Sequence, residues 1–180
     1  MSYQTPITIK QALERIHRHD YVLPAIQREF VWNPDQVCRL FDSLLRGYPI
    51  GTFLFWQVSA ETASQFQFYD VMRDYHEVKS SHSPKIDDFS PRSVTAILDG
   101  QQRLSALNIG LRGSYATKVP RKRLDPYTVR HLYLDLCFVP AEDDEIGYRF
   151  EFLTPEEAQR SSTAGTNPGD FNHPDTMYQV

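Results

Sequence analysis

A chain of 180 residues, 41% apolar and 23% charged, is long enough to bury one real core and has an ordinary globular composition. Its formal net charge of −4 excludes nucleic-acid binding by bulk charge alone and leaves a local basic patch as the electrostatic route. Two cysteines without zinc-type spacing, no signal peptide and no apolar run near about 18 residues exclude a disulfide framework, a zinc module and a spanning helix; a soluble cytoplasmic protein with no membrane contact is expected.

Thr8 and Gln11 form a capping-box pattern ahead of the apolar stripe Ile9, Ala12, Leu13 and Ile16, which predicts a first helix starting at Thr8. Val22 and Leu23 read as a short strand, and Pro24 forces an extended or turning path. Gln27 and Arg28 then stand as a polar pair inside YVLPAIQREFVW. A buried arginine must be paired or face a ligand; the plain alternative is an Arg28 that snorkels to the surface or pairs with an internal carboxylate.

Asn33-Pro34-Asp35-Gln36 is a helix start, with Asn as N-cap and Pro at N1. Val37, Leu40, Phe41, Leu44 and Leu45 give that helix one apolar face, and Gly47 ends it. Tyr48-Pro49-Ile50-Gly51-Thr52 leads into FLFWQV, an apolar run predicted as a central strand through Val58. Gly51 either lets backbone approach a ligand closely or serves as a turn or bulge residue. Phe66, Phe68, Tyr69 and Val71 suggest a strand, and SSHSPKIDDFSPRS a long polar connection. His76 and His82 lack a carboxylate or cysteine at ligand spacing and are expected to be ordinary exposed histidines.

Val94 to Gly113, VTAILDGQQRLSALNIGLRG, is the stretch the rest serves. A buried strand turns sharply at Asp99 and Gly100 and enters a helix whose first turn carries Gln101, Gln102 and Arg103. Leu104, Leu107 and Leu111 repeat at helical spacing, and Gly113 stands where a left-handed residue would end the helix. Unpaired first-turn N–H groups and the helix dipole make such a turn an anion site, and Arg103 adds a planar fork suited to phosphate. The plain alternative is a solvated strand–helix turn.

Beyond it, KVPRKR (118–123) is a basic cluster for nucleic acid or a phosphate tail, or a solvated loop. HLYLDLCFV (131–139) reads as a strand, EDDEIG (142–147) as a hairpin tip without the staggered Asp pattern of a metal loop, and YRFEFL (148–153) as the returning strand. Thr154-Pro155-Glu156-Glu157 caps a last helix, which decays into the linker-like SSTAGTNPGDFNHPD before MYQV. Cys38 and Cys137 sit in apolar periodic segments and are expected as small core residues. Residues 1–160 are expected to form one domain, and 161–180 a polar linker toward a further part beyond this chain.

In combination, LPAIQREFVW, a helix ending in RGYPIGTFLFW, and ILDGQQRLSAL closely resemble the N-terminal domain of GmrSD-type modification-dependent restriction enzymes over roughly residues 8–160. The same order is similar to a distant version of the ParB and sulfiredoxin fold. The resemblance implies an α/β (α+β) domain with a small mixed sheet flanked by helices, binding and hydrolysing GTP or another NTP with Mg2+ in a bacterial anti-phage system. Carried over by position, Gly100, Gln101, Gln102 and Arg103 would contact phosphate. Arg28 would add a second cation with Gln27 beside it, and Pro49, Ile50, Gly51 and Thr52 would form another wall. Asp99 would hold magnesium, orient water or cap the helix; Gln101 or Gln102 would orient the attacking water. No GxxxxGK[ST] is present, so a Walker-type mechanism is unavailable. The family's nuclease part, with its His-rich metal motif, is absent from these residues, which makes modified DNA and a C-terminal nuclease domain or subunit the implied partners. Two further readings stand beside this one: a DNA-binding module that recognises modified DNA and hydrolyses nothing, and an inert scaffold that contacts a partner.

Overall fold

The computed structural model describes residues 5–25, 29–87, 92–118, 127–164 and 177–180. In chain order its elements are α1 (Ile9–His17), β1 (Tyr21–Pro24), α2 (Pro34–Leu45), β2 (Leu54–Val58), α3 (Ala60–Ala63), β3 (Phe68–Tyr69), β4 (Asp74–His76), β5 (Val94–Asp99), α4 (Gln101–Arg112), β6 (Ser114–Lys118), β7 (Tyr127–Asp135), β8 (Arg149–Leu153), α5 (Pro155–Ala164) and β9 (Met177–Gln179). The class is α+β, as expected, with the strands shared between two small mixed sheets. No described helix is long and apolar enough to cross a membrane. Two compact units emerge: Met1–Phe30 with Gly51–Met72 and His82–Asn108, and Val31–Ile50 with Arg73–Ser81 and Ile109–Val180.

In the first unit the strand order is β2-β5-β1-β3. The β1–β5 pair is parallel, while β2 and β3 join antiparallel. Thr8 and Gln11 exchange the two bonds of a capping box, so α1 starts where its sequence says. That helix buries Ala12, Leu13 and Ile16 and ends at His19, which adopts φ 56° in the left-handed position. β1 is buried along its whole length. Val22, Val58, Ala63, Phe68, Val94 and Ala96 make a common cluster, with Ile86 packed on it. Asn108, itself buried, donates from Nδ2 to the carbonyls of Val71 and Met72 (3.2 Å each), which ties α4 to the chain after β3.

In the second unit the order is β4-β6-β7-β8, with β9 also paired to β7. α2 starts on the Asn33–Gln36 capping box and packs on the sheet through Val37, Leu40 and Phe41, the last ring lying 5.6 Å from that of Phe150. The β7–β8 hairpin alternates cleanly on its returning strand, with Phe150 and Phe152 inward. Thr154 and Glu157 cap α5 reciprocally.

Five local expectations are corrected. FLFWQV is an edge strand, not a central one: β2 pairs with β5 alone among the described strands, and Leu54 and Trp56 remain 44% and 37% exposed. An apolar run satisfies the pattern of a central strand without supplying a second neighbour. Leu45 closes the apolar repeat of α2 yet is exposed, the buried face of the helix being Val37, Leu40 and Phe41. β7 stops at Asp135, whose carboxylate takes the Cys137 N–H in a local turn, so Leu136 and Val139 lie outside the strand and exposed. Gly113 is not left-handed; its missing side chain makes room for the Arg73 carbonyl, which an added Cβ would meet at 1.9 Å. Cys137 is exposed rather than in the core.

Cys38 is half-buried, and its thiol is pushed up from 9.0 to about 12, by burial first and then by the Asp35 and Glu151 carboxylates. Holding that proton stabilises the fold below the ordinary value of 9.0, and the contribution is lost as pH climbs toward about 12. Iodoacetamide at pH 8 is therefore expected to label Cys137 and spare Cys38 in the native protein, and to label both in denaturant; peptide mass spectrometry reads the ratio. Equal native labelling would contradict the burial of Cys38.

Candidate functional site at the strand–turn–helix

The site lies in the first unit, at the end of β5. The register between β2 and β5 slips here: Leu54 pairs with Asp99 and Phe55 with Ile97, which leaves Leu98 as a bulge residue. A bulge rotates the strand end, and Asp99 emerges with its side chain 68% exposed. Gly100 follows, buried, with φ +87°. A side chain there would meet both a backbone penalty and the Phe53 ring, whose Cδ1 would lie 2.3 Å from an added Cβ. The Gly100 carbonyl takes the Leu104 N–H at 3.0 Å, so the first turn of α4 opens directly at the glycine.

Arg103 is the organising side chain. Its guanidinium lies over the Phe53 ring at 4.7 Å from the centroid. Nη2 donates to the Thr52 carbonyl at 2.8 Å and sits 3.5 Å from Asp99 Oδ2. Nη1 occupies the space where Gly51, also at φ +87°, would carry a Cβ only 2.5 Å away. The ambiguous Gly51 is thus a close-approach residue, and what approaches is Arg103. Only one fifth of the Arg103 side chain is exposed, so its cation is fixed in position before any ligand arrives.

The two glutamines are anchored by their amide nitrogens. Gln101 Nε2 donates to the Ile97 carbonyl at 2.9 Å, and Gln102 Nε2 to the Glu29 carbonyl at 2.7 Å. Asp99, Gly100, Gln101, Gln102, Arg103, Gly51 and Thr52 are therefore brought together around one turn. Gln27 and Arg28 lie outside the described residues. Pro49 and Ile50 belong to the second unit. Among the described residues no group of three potential metal ligands assembles, which leaves Asp99 as the single carboxylate of the turn. His82 Nδ1 comes within 3.5 Å of Glu29 Oε1, a contact the sequence spacing did not indicate.

Phe53 was hidden in the sequence by the apolar run that contains it. Its position directly after two wall residues, with Phe55 stacked on it at 6.3 Å and Tyr21 next at 4.9 Å from Phe55, makes it the aromatic support of the site. This arrangement can hold an anion: fixed cation, helix start, two glycine-permitted backbone approaches and one exposed carboxylate.

A model of the GmrSD restriction endonuclease N-terminal domain matches residues 9–173. An uncharacterized protein of Methanocaldococcus jannaschii is 32% identical over 133 residues, which are 73% of this chain and 20% of that protein. The chain thus spans about a fifth of the length of the curated relative it matches.

Proposed function

The chain belongs to the family of GmrSD restriction endonuclease N-terminal domains, part of a restriction system, and from that premise we propose that it binds and hydrolyses a nucleoside triphosphate at the Asp99–Arg103 turn. The observation that carries the reading is the fixed Arg103: a cation pinned between the Phe53 ring, the Thr52 carbonyl and the Gly51 backbone, at a helix start. Pinning a guanidinium costs entropy that a surface arginine need not lose, and the return is a donor fork already in place for phosphate.

In this reading the first-turn N–H groups of α4 and the Arg103 fork take the phosphates and neutralise charge on the transferred group. Gln101, whose Nε2 is tied to Ile97, shows no other side-chain hydrogen bond among the described residues, and its amide oxygen would orient the attacking water. Asp99 is exposed and is the single carboxylate of the turn, with Arg103 beside it, which fits a magnesium ion that takes one carboxylate from the protein and its other ligands from phosphate and water. That ion would supply charge neutralisation on the phosphate oxygens. Modified DNA and a nuclease part are the partners this module would license.

Calorimetry with Mg-GTP and Mg-ATP tests it. The wild type is expected to bind, and Arg103→Ala to weaken binding by about tenfold or more. Gly51→Ala, which leaves every polar group in place but puts a Cβ 2.5 Å from Nη1, is expected to weaken it as well. Circular dichroism confirms folding of each variant. A folded wild type that binds neither nucleotide sinks the proposal and moves the function to DNA recognition, where affinity falls steeply with salt.

A further inference from the structure

A second place in the molecule carries chemistry that the turn does not use. Within the second unit, a crevice of about 230 Å³ opens between the start of α2 and the β6–β8 strands. Arg130 lines it, with its side chain about three-quarters buried (27% exposed) and its Nε wholly buried with no hydrogen-bond partner. Its nearest carboxylate, Glu157 Oε2, stays 3.6 Å from Nε and already accepts the Thr154 N–H at 2.9 Å. Among the described residues Arg130 Nε makes no hydrogen bond, and its ion pair is with Glu157. A guanidinium Nε so deeply placed without a hydrogen bond is costly unless something in the crevice accepts from the cation.

The opposite sign stands at Asp35 of α2 and at Glu151, an exposed residue of β8. Asp35 and Glu151 line the same crevice, and both carboxylates act on the Cys38 thiol. Tyr115 and Phe152, buried with rings 5.2 Å apart, supply its apolar surface. The occupant must therefore present acceptors to a guanidinium fork, N–H donors to carboxylates and a flat apolar body between. The volume is below the roughly 300–1,000 Å³ of drug-sized sites, so it suits a single ring system rather than a whole nucleotide.

We propose that this crevice binds a planar heterocyclic base that carries acceptors on one edge and N–H donors on another, guanine being the base that meets both walls. Guanine O6 and N7 match an arginine fork, and its N1–H and 2-amino group match carboxylates. The proposal stands apart from the reading of the Asp99–Arg103 turn, because guanosine has no phosphate to engage that turn.

The test is a ligand-observed NMR titration of the chain with guanosine and with inosine, which lacks the 2-amino group. Guanosine is expected to bind, and inosine about tenfold more weakly. Arg130→Met, which keeps the length of the side chain and removes the fork, is expected to weaken guanosine about tenfold; Arg103→Ala is expected to leave it unchanged. Should Arg130→Met fail to fold, Glu151→Gln and Asp35→Asn carry the test through loss of the guanosine–inosine preference. No guanosine binding by the folded wild type overturns the proposal. So does binding that Arg103→Ala abolishes, or that survives the Arg130, Asp35 and Glu151 variants intact.

Discussion

Asp42→Ala is expected to cost about 3–5 kcal/mol. Asp42 is 5% exposed on α2, and its Oδ1 accepts the N–H groups of Gly147 (2.9 Å) and Tyr148 (2.8 Å). Its Oδ2 takes Arg46 Nη1 at 3.3 Å. Arg46 in turn donates to the Glu145 carbonyl at 2.7 Å and to the Tyr48 hydroxyl at 3.0 Å, over whose ring it lies. One carboxylate thus fastens the β7–β8 loop to the helix. Removing it strands two backbone donors and takes the carboxylate from a cation that keeps its bonds to Glu145 and Tyr48. Asp42→Asn keeps an acceptor for the backbone and loses the ion pair, so it is expected to cost less than half as much. Thermal denaturation measures both, and amide exchange at Gly147 and Tyr148 is expected to quicken in Asp42→Ala before the strands themselves open. Equal stability of Asp42→Ala and wild type would show that the loop is not held from α2.

Gly113→Ala is expected to cost about 3 kcal/mol or more, roughly a 10 °C fall in melting temperature for a chain of this size. The added Cβ would lie 1.9 Å from the Arg73 carbonyl oxygen and 2.6 Å from its carbon, both backbone atoms that cannot swing aside. That carbonyl also accepts the Ser114 N–H at 3.3 Å, and Arg73 Nε reaches back to the Arg112 carbonyl at 3.1 Å. Relief of the clash has to move the start of the parallel β4–β6 pair, where Asp74 lies opposite Ser114. Gly47→Ala is the comparison: nothing lies within 4 Å of its added Cβ, and only the left-handed φ of +73° opposes it, at about 1–2 kcal/mol. A larger loss at Gly47 than at Gly113 would mean that backbone conformation, not close approach, dominates at both.

These glycines show where reading residues reaches its limit. Gly113 and Gly47 both follow apolar helices and look alike in sequence, yet one caps a helix by conformation and the other by making room for a carbonyl 40 residues away in the chain. Gly51 looked like either a turn or a ligand contact; the structure makes it the seat of Arg103, a residue in another segment. At the turn itself, Asp99, Gly100, Gln101, Gln102 and Arg103 were legible because a strand, a glycine and a helix start are local features. Phe53 and the Glu29 carbonyl were not, because each acts through a partner supplied by the fold.

The sequence by itself determined the helix starts at Thr8, Asn33 and Thr154, since each capping box closes within four residues. It determined the inward faces of α1 and β8 through their period, the strand–turn–helix at Asp99–Arg103, and the family to which the chain belongs. Only the tertiary structure decided that β2 is an edge, that Asp42 is buried and paired while Cys137 and Leu45 are not, and that Arg103 is pinned and Arg130 Nε is buried without a hydrogen bond. The reason is physical: capping and periodicity depend on neighbours a few residues away, whereas burial, close approach and the pairing of a charge depend on what the rest of the chain brings to the same place.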